Sequence, residues 1–295
     1  MLIIAPVEPV PPNFPAAAGF FSQLAGVMAG FAFASLITLI AAQLTTNHSA
    51  GKTLESGGPL LATFVALGVS SLDYAMVAGE TAGTARVASL LTVSGVGFGV
   101  AGIMLLYSML VLVRGLESDA PRSRAISHAM GNLIRAVIVF LLSPVVVLLT
   151  WSGARGHVIQ KYGAAAGFTG LDWAALSVLL FIVVVVTVCA VKFFDRPQHH
   201  PAFTRFISGV AVVLTSASVL GATALLSFTE SSTPVPDPIP LVAIILVGSF
   251  AVLVAYSASR LRTASDNSDT PVLPNDHAET SLAPDDGTAS EVSGR

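Results

Sequence analysis

The stretch VASLLTVSGVGFGVAGIMLLYSMLVLV, residues 87–113, holds no charged side chain between Arg86 and Arg114. About 20 apolar residues in a helix rising 1.5 Å per residue cross a hydrocarbon core about 30 Å thick. The stretch therefore predicts a helix through a bilayer. Reading outward from it in both directions gives seven such spans: Ala17 to Leu44, Pro59 to Gly79, Val87 to Val113, Ser127 to Trp151, Leu171 to Phe194, Phe206 to Phe228 and Ile239 to Ser259. Lipid offers no partner to free backbone N–H and C=O groups, and none of the seven alternates as a barrel strand does. The expected fold is an all-α integral membrane protein, a bundle of seven transmembrane helices. Gly57-Gly58-Pro59, Asp195-Arg196-Pro197 and the proline-rich run 233–240 are expected to separate spans.

Composition agrees with that fold class. The chain has 295 residues, 54% of them hydrophobic and 11% charged, against about 25% charged in a typical soluble domain. Too few charges remain to clothe a soluble globule. The one cysteine, Cys189, excludes an intrachain disulfide. Arginine outnumbers lysine and alanine is abundant, from which a multi-pass protein of a bacterial cytoplasmic (inner) cell membrane is expected. Its surroundings are then the lipid bilayer, with a protein partner or a homo-oligomer as further candidates and no nucleic acid.

The basic residues orient the bundle. With the N-terminus outside, the inner connections and tail hold Lys52, Arg114, Arg122, Arg124, Lys192, Arg196, Arg205, Arg260, Arg262 and Arg295. The outer ones hold Arg86, Arg155 and Lys161, and Arg135 falls within a span. Cationic loops resist translocation, so this bias predicts an outside N-terminus and a cytoplasmic C-terminus. Trp151 and Trp173 would stand at the outer interface, where amphipathic rings settle. Three parts follow: a short extracytoplasmic segment over 1–16, a seven-helix domain over 17–262 and an acidic tail over 263–295. The start lacks the basic region of a signal peptide, so the first span is expected to stay as an anchor. The tail, with seven acidic residues and little apolar surface to bury, is expected to be disordered in the cytoplasm.

Asp73 is the costliest residue in the spans, since a carboxylate near mid-membrane costs roughly 2.5–3.5 kcal/mol on insertion scales. Seven residues on, Glu80 would share its helix face two turns away. Asp73 and Glu80, with Gln23 and Arg135, form the candidate intramembrane polar site. The plainer alternative is a packed acid bonded to a neighbouring Ser or Thr. Arg135 lies roughly 12 Å from Asp73 along the bundle axis and is expected to snorkel to the cytoplasmic headgroups, beside His128 and Asn132.

Gly97, Gly99 and Gly102 match the spacing of a dinucleotide fingerprint, but that motif needs a preceding strand and a water-facing helix end. The four residues Val96-Gly97-Phe98-Gly99 resemble the selectivity filter of potassium channels, which implies backbone carbonyls that replace an ion's hydration shell. The resemblance departs at Gly95, where the filter has threonine, and after Gly99, where no Asp follows. The competing reading is close packing through small residues, Gly95 with Gly99 on the third span and Gly26 with Gly30 on the first. Asp195, His199 and His200 lack the companions of a metal site. No nucleophile elbow, zinc-protease pair or phosphate loop occurs in the chain.

The expectation is therefore a polytopic protein with no catalytic, cofactor-binding or metal-binding residues assigned, leaning away from an enzyme. It reads foremost as a non-enzymatic membrane module that binds a protein or lipid partner. The alternative is a permease or ion and proton pathway that uses Asp73 and Glu80.

Overall fold

The computed structural model describes residues 13–45, 50–80, 85–115, 121–162, 169–192, 201–228, 236 and 238–260. Its elements are α1 (Phe14–Thr45), α2 (Ala50–Ala78), α3 (Ala85–Gly115), α4 (Pro121–Ala136), a π-helical segment (Val137–Leu142), α5 (Ser143–Tyr162), α6 (Gly170–Lys192), α7 (Pro201–Phe228) and α8 (Pro238–Arg260). Among the described residues, six helical stretches are long and apolar enough to cross a membrane: Phe14–Ala41, Gly57–Ala78, Arg86–Arg114, Ala129–Gly156, Ala202–Phe228 and Pro238–Ser259. The described apolar part of α6, Asp172–Val188, is shorter. The chain is thus an α-helical, multi-pass membrane protein. Contacts divide it into Met1–Arg262 and Thr263–Arg295. The tail, residues 1–12 and the cluster Asp195, His199 and His200 lie outside the described residues.

Local chemistry moves several boundaries from where periodicity alone sets them. The first helix begins at Phe14 because Asn13 caps it, its Oδ1 accepting from Ala16 N at 3.2 Å. The second runs straight through Gly57-Gly58-Pro59, which had been expected to break it. Pro59 stands inside that helix but at the start of its apolar span, Gly57–Ala78, so the backbone hydrogen bond it forfeits lies away from mid-span. The fourth span does not stop at Trp151, since α5 continues to Tyr162. Its π-helical segment ends against Pro144: the Ser143 backbone N–H donates to Ile138 O, five residues back, and Ser143 Oγ bonds the same carbonyl at 2.8 Å. A proline ring crowds the carbonyl four residues before it, and one wide turn relieves that crowding.

The hub of the bundle is α3, which touches α1, α2, α4, α5, α7 and α8. Two of its glycines make this contact close. A Cβ on Gly99 would stand 2.7 Å from Val146 Cγ1 of α5, and one on Gly97 2.5 Å from Ser218 Oγ of α7. The helix passes unbroken through residues 95–102, so its carbonyls are engaged in helical hydrogen bonds. This removes the filter resemblance, which needs those carbonyls free.

The first helix packs along α2 by a different route from its glycines. Ala18, Ala25, Ala29, Ala32 and Leu39 are buried, a stripe repeating every seven residues with one extra position. Gly26 and Gly30 are exposed; Gly30 has no atom within 4 Å of its Cβ position and Gly26 only Ser71 Oγ at 3.5 Å. The expected glycine-mediated contact of the first and third spans is therefore not made within this chain, because alanines already supply the close approach. Around α3, Val100, Ile103, Met104, Tyr107 and Leu110 meet Ile207, Val247 and Phe250 in the largest apolar core.

Candidate functional site: a buried carboxyl between three helices

Near the end of α2, Ser70 and Asp73 stand three residues apart, hence on one face and one turn from each other. The third helix runs back alongside, and its Ser94 and Gly97 repeat that spacing in the opposite direction. The two pairs meet in register. The Cβ position of Gly97 lies 3.2 Å from Ser70 Oγ as well as 2.5 Å from Ser218 Oγ, so α2, α3 and α7 converge there, while Ser94 faces the Asp73 carboxyl one turn further along. A side chain at residue 97 would hold the helices apart.

The four polar residues are enclosed: Ser70, Asp73 and Ser94 are fully buried and Ser218 is 5% exposed. Neither carboxyl oxygen of Asp73 has a well-formed hydrogen bond, nor does Ser70 Oγ or Ser94 Oγ. Ser94 is the hydrogen-bonding neighbour of the carboxyl, and no charged group joins it. Ser218 Oγ donates to Thr215 O at 2.8 Å, which leaves its lone pairs free. An unpaired buried polar group costs about 1–3 kcal/mol, and a charged one more. Several such oxygens at one place are a concentrated cost that the apolar packing around them does nothing to relieve.

Apolar layers close the pocket on both sides. Toward the α2–α3 connection lie Val77, Val87, Leu90 and Ala222, all fully buried. Beside them Phe21, Tyr74 and Phe98 form a ring triangle with centroids 5.4–5.8 Å apart. In the other direction Ala66, Leu67, Val100, Ala101 and Met104 are fully buried. Beyond that layer comes a second polar tier, fully hydrogen-bonded: Thr63 Oγ1 to Ser108 Oγ at 2.7 Å, and Tyr107 OH to Ser257 Oγ at 2.8 Å and Thr204 Oγ1 at 3.4 Å. The contrast is instructive. Hydroxyls of the second tier satisfy each other, and those around Asp73 do not.

The other residues singled out from the sequence stand elsewhere. Glu80 leaves the helix, since α2 ends at Ala78, and pairs with Arg86 at 2.6 Å; Arg86 Nη1 also donates to Leu226 O at 3.2 Å, tying the start of α3 to α7. It therefore does not continue the Asp73 face. Gln23 is exposed on α1 and turned from the pocket, while its neighbour Ser22 bonds α2. Arg135 is only 5% exposed, on a helix, α4, that lies against α3 and α8. It is also not bonded to Asp73. Asn132 is exposed. Gly95 lies near Tyr74 OH, 3.8 Å from its Cβ position. Among the described residues no three His, Cys, Asp or Glu side chains gather as metal ligands.

Sequence reasoning passed over Ser94, Gly97 and Ser218 as a group. The readable signal was the matched i, i+3 spacing on adjacent, antiparallel spans. Ser218 had none, being one of several hydroxyls on α7. It also reaches a second feature, a part-open apolar cleft of about 430 Å³ between α3, α7 and α8 lined by Val93, Val96, Leu214, Val242 and Leu246. No protein-family model matches the chain, no curated protein is similar to it in sequence, and no solved structure is similar to it in fold.

Proposed function

We propose that the chain is a seven-crossing protein of a bacterial cytoplasmic membrane, N-terminus outside and C-terminus in the cytoplasm, that works as an ion- or proton-coupled permease with Asp73 as the coupling acid. The observation that carries this is an enclosed carboxyl with no charged partner and only the Ser94 hydroxyl beside it. A structural acid retained in a packed core is held by hydrogen bonds; an acid that takes up and gives off positive charge keeps its oxygens available. The apolar layers on both sides correspond to an occluded stage of an alternating cycle, with passage requiring movement of α2 or α7 against α3.

The test is charge movement. Purified protein in proteoliposomes on a supported membrane is exposed to rapid jumps in proton or cation concentration. Wild-type protein gives transient currents and Asp73→Asn gives none. Wild-type liposomes without currents, under both kinds of jump, overturn the coupling role.

A second reading, a non-enzymatic module for a lipid or protein partner, draws support from the apolar cleft between α7 and α8 and from the outward face of α1, where Phe20, Val27, Phe31 and Phe33 are exposed.

A further inference from the structure

We propose that the charge held at Asp73 is a dehydrated monovalent metal cation of sodium size, bound by the Asp73 carboxylate together with the hydroxyl oxygens of Ser70, Ser94 and Ser218. This rests on the reading of Asp73 as an acid that takes up positive charge, and specifies what it takes up.

Three observations point to a metal cation over a proton. First, the pocket gathers oxygen atoms, the ligands that hard cations prefer. Secondly, Ser70 Oγ, Ser94 Oγ and both Asp73 oxygens are buried, and the Ser94 hydroxyl is the one donor beside the carboxyl. A proton on the carboxyl would add one donor and serve one neighbour. A cation serves all of them together, because oxygens about 2.3–2.6 Å from an ion of calcium or sodium size stand roughly 3.4 Å from each other, beyond mutual hydrogen bonding. Thirdly, the Ser218 hydrogen is committed to Thr215 O, so its oxygen, beside Gly97 and Ser70 Oγ, can serve only as an acceptor.

Charge balance fixes the valence. One carboxylate offsets one positive charge, and a divalent ion would leave an uncompensated charge in a low-dielectric interior. The helices packed on Asp73 add no second acid beside it. Among the described residues α1 carries no ionisable group, and α3 carries Arg86 and Arg114 at its ends and Tyr107 in the second polar tier. The seventh helix has Arg205 at its far end, and on α2 itself Tyr74 adjoins. Glu80 beyond α2 is paired with Arg86. The close convergence of three helices at Gly97 favours a small ion, sodium or lithium over potassium.

The experiment is thermal unfolding of the purified full chain in detergent, comparing NaCl, LiCl, KCl and choline chloride at equal ionic strength. Sodium and lithium should raise the melting temperature saturably over choline, and potassium should not. The shift should vanish in Asp73→Asn, and Ser94→Ala should need roughly tenfold more sodium for half effect. A sodium shift equal in Asp73→Asn and wild type places the ion elsewhere and overturns the site. Melting that ignores all the salts, but rises on acidification in wild type and not in Asp73→Asn, makes the proton the occupant: the metal inference then fails and the coupling acid stands. Melting that responds to neither fails both.

Discussion

Ser22 and Ser71 bond each other's helices reciprocally: Ser22 Oγ donates to Ser71 O at 2.8 Å and Ser71 Oγ to Ser22 O at 2.9 Å. Each hydroxyl spans two backbones, so the pair fixes the rotation of α2 against α1. With Ser71 turned to α1, Ser70 and Asp73 face α3 and α7. The lock therefore orients the pocket without touching it. Interhelical hydrogen bonds in membranes are individually modest, about 0.6 kcal/mol on average with a maximum near 1.7. Ser22→Ala and Ser71→Ala should each destabilise by roughly 0.5–1.5 kcal/mol in detergent, with a coupling energy in the double-mutant cycle. Strict additivity would mean that the two hydroxyls act independently.

Glycines of the bundle should separate by position. Gly97→Leu and Gly99→Leu meet Ser218 and Val146 at once, and overpacking costs about 1–3 kcal/mol. Gly30→Leu points into open space and should melt close to wild type, as an added apolar side chain facing lipid. The measurement is the melting temperature of the three variants side by side. A large loss in Gly30→Leu would reveal a contact outside this chain, such as one between protomers.

The two spacings that organise the pocket show how far sequence carried. Apolar runs such as 87–113 are unmistakable, because lipid tolerates no interruption, and the helical class follows directly. What failed was the choice of face. Gln23 is a sequence candidate for the polar site, but the stripe Ala18, Ala25, Ala29 and Ala32 puts Ser22 at the contact with α2 and Gln23 beside it. One residue is about 100° of rotation. In an all-apolar helix no amphipathic contrast announces which side is inward. Glu80 was likewise extrapolated along a helix that stops at Ala78. Depth along the sequence says nothing of the burial of Arg135, which depends on which helices pack against α4.

Orientation can be tested with reporters on the tail. Alkaline phosphatase fused after Arg295 should be inactive and a fluorescent protein fused there should glow, given an outside N-terminus and seven crossings. The reciprocal result would mean an even number of crossings or an inverted bundle. The ten-to-three excess of basic residues on one set of connections motivates the expected outcome.

The ion pair of Arg155 with Asp172, at 2.6 Å, joins the end of α5 to the start of α6. Thr169 N and Oγ1 also donate to Asp172 Oδ2, at 2.9 and 2.8 Å. Asp172 is thus both a counter-charge and the fastening of a helix N-terminus, where a negative charge is favoured. Asp172→Asn keeps one acceptor and should cost less than Asp172→Ala, which strands the donors. The difference, on the order of 1 kcal/mol, is read from paired melts at neutral pH. Equal losses would assign the stabilisation to the charge alone.

Asp73 supplies the sharpest stability prediction, because its sign is opposite to that of an ordinary core residue. A bonded acid loses stability when replaced, since its partner is left stranded. Asp73 has only the Ser94 hydroxyl beside it and no charged partner to strand. In choline chloride, without sodium or lithium, the wild-type pocket holds an uncompensated carboxyl, whereas Asp73→Asn removes the charge at nearly constant volume. The variant should then melt at or above the wild-type temperature, by an amount on the order of 1–3 kcal/mol in stability. Adding sodium should reverse the order by raising the wild type alone. Asp73→Leu should also fold, because replacing an unsatisfied buried polar group by an apolar one of similar volume is often neutral or stabilising. A marked loss of stability in both variants in choline chloride would mean that the carboxyl is bonded to a neighbour after all, and would return Asp73 to a structural role.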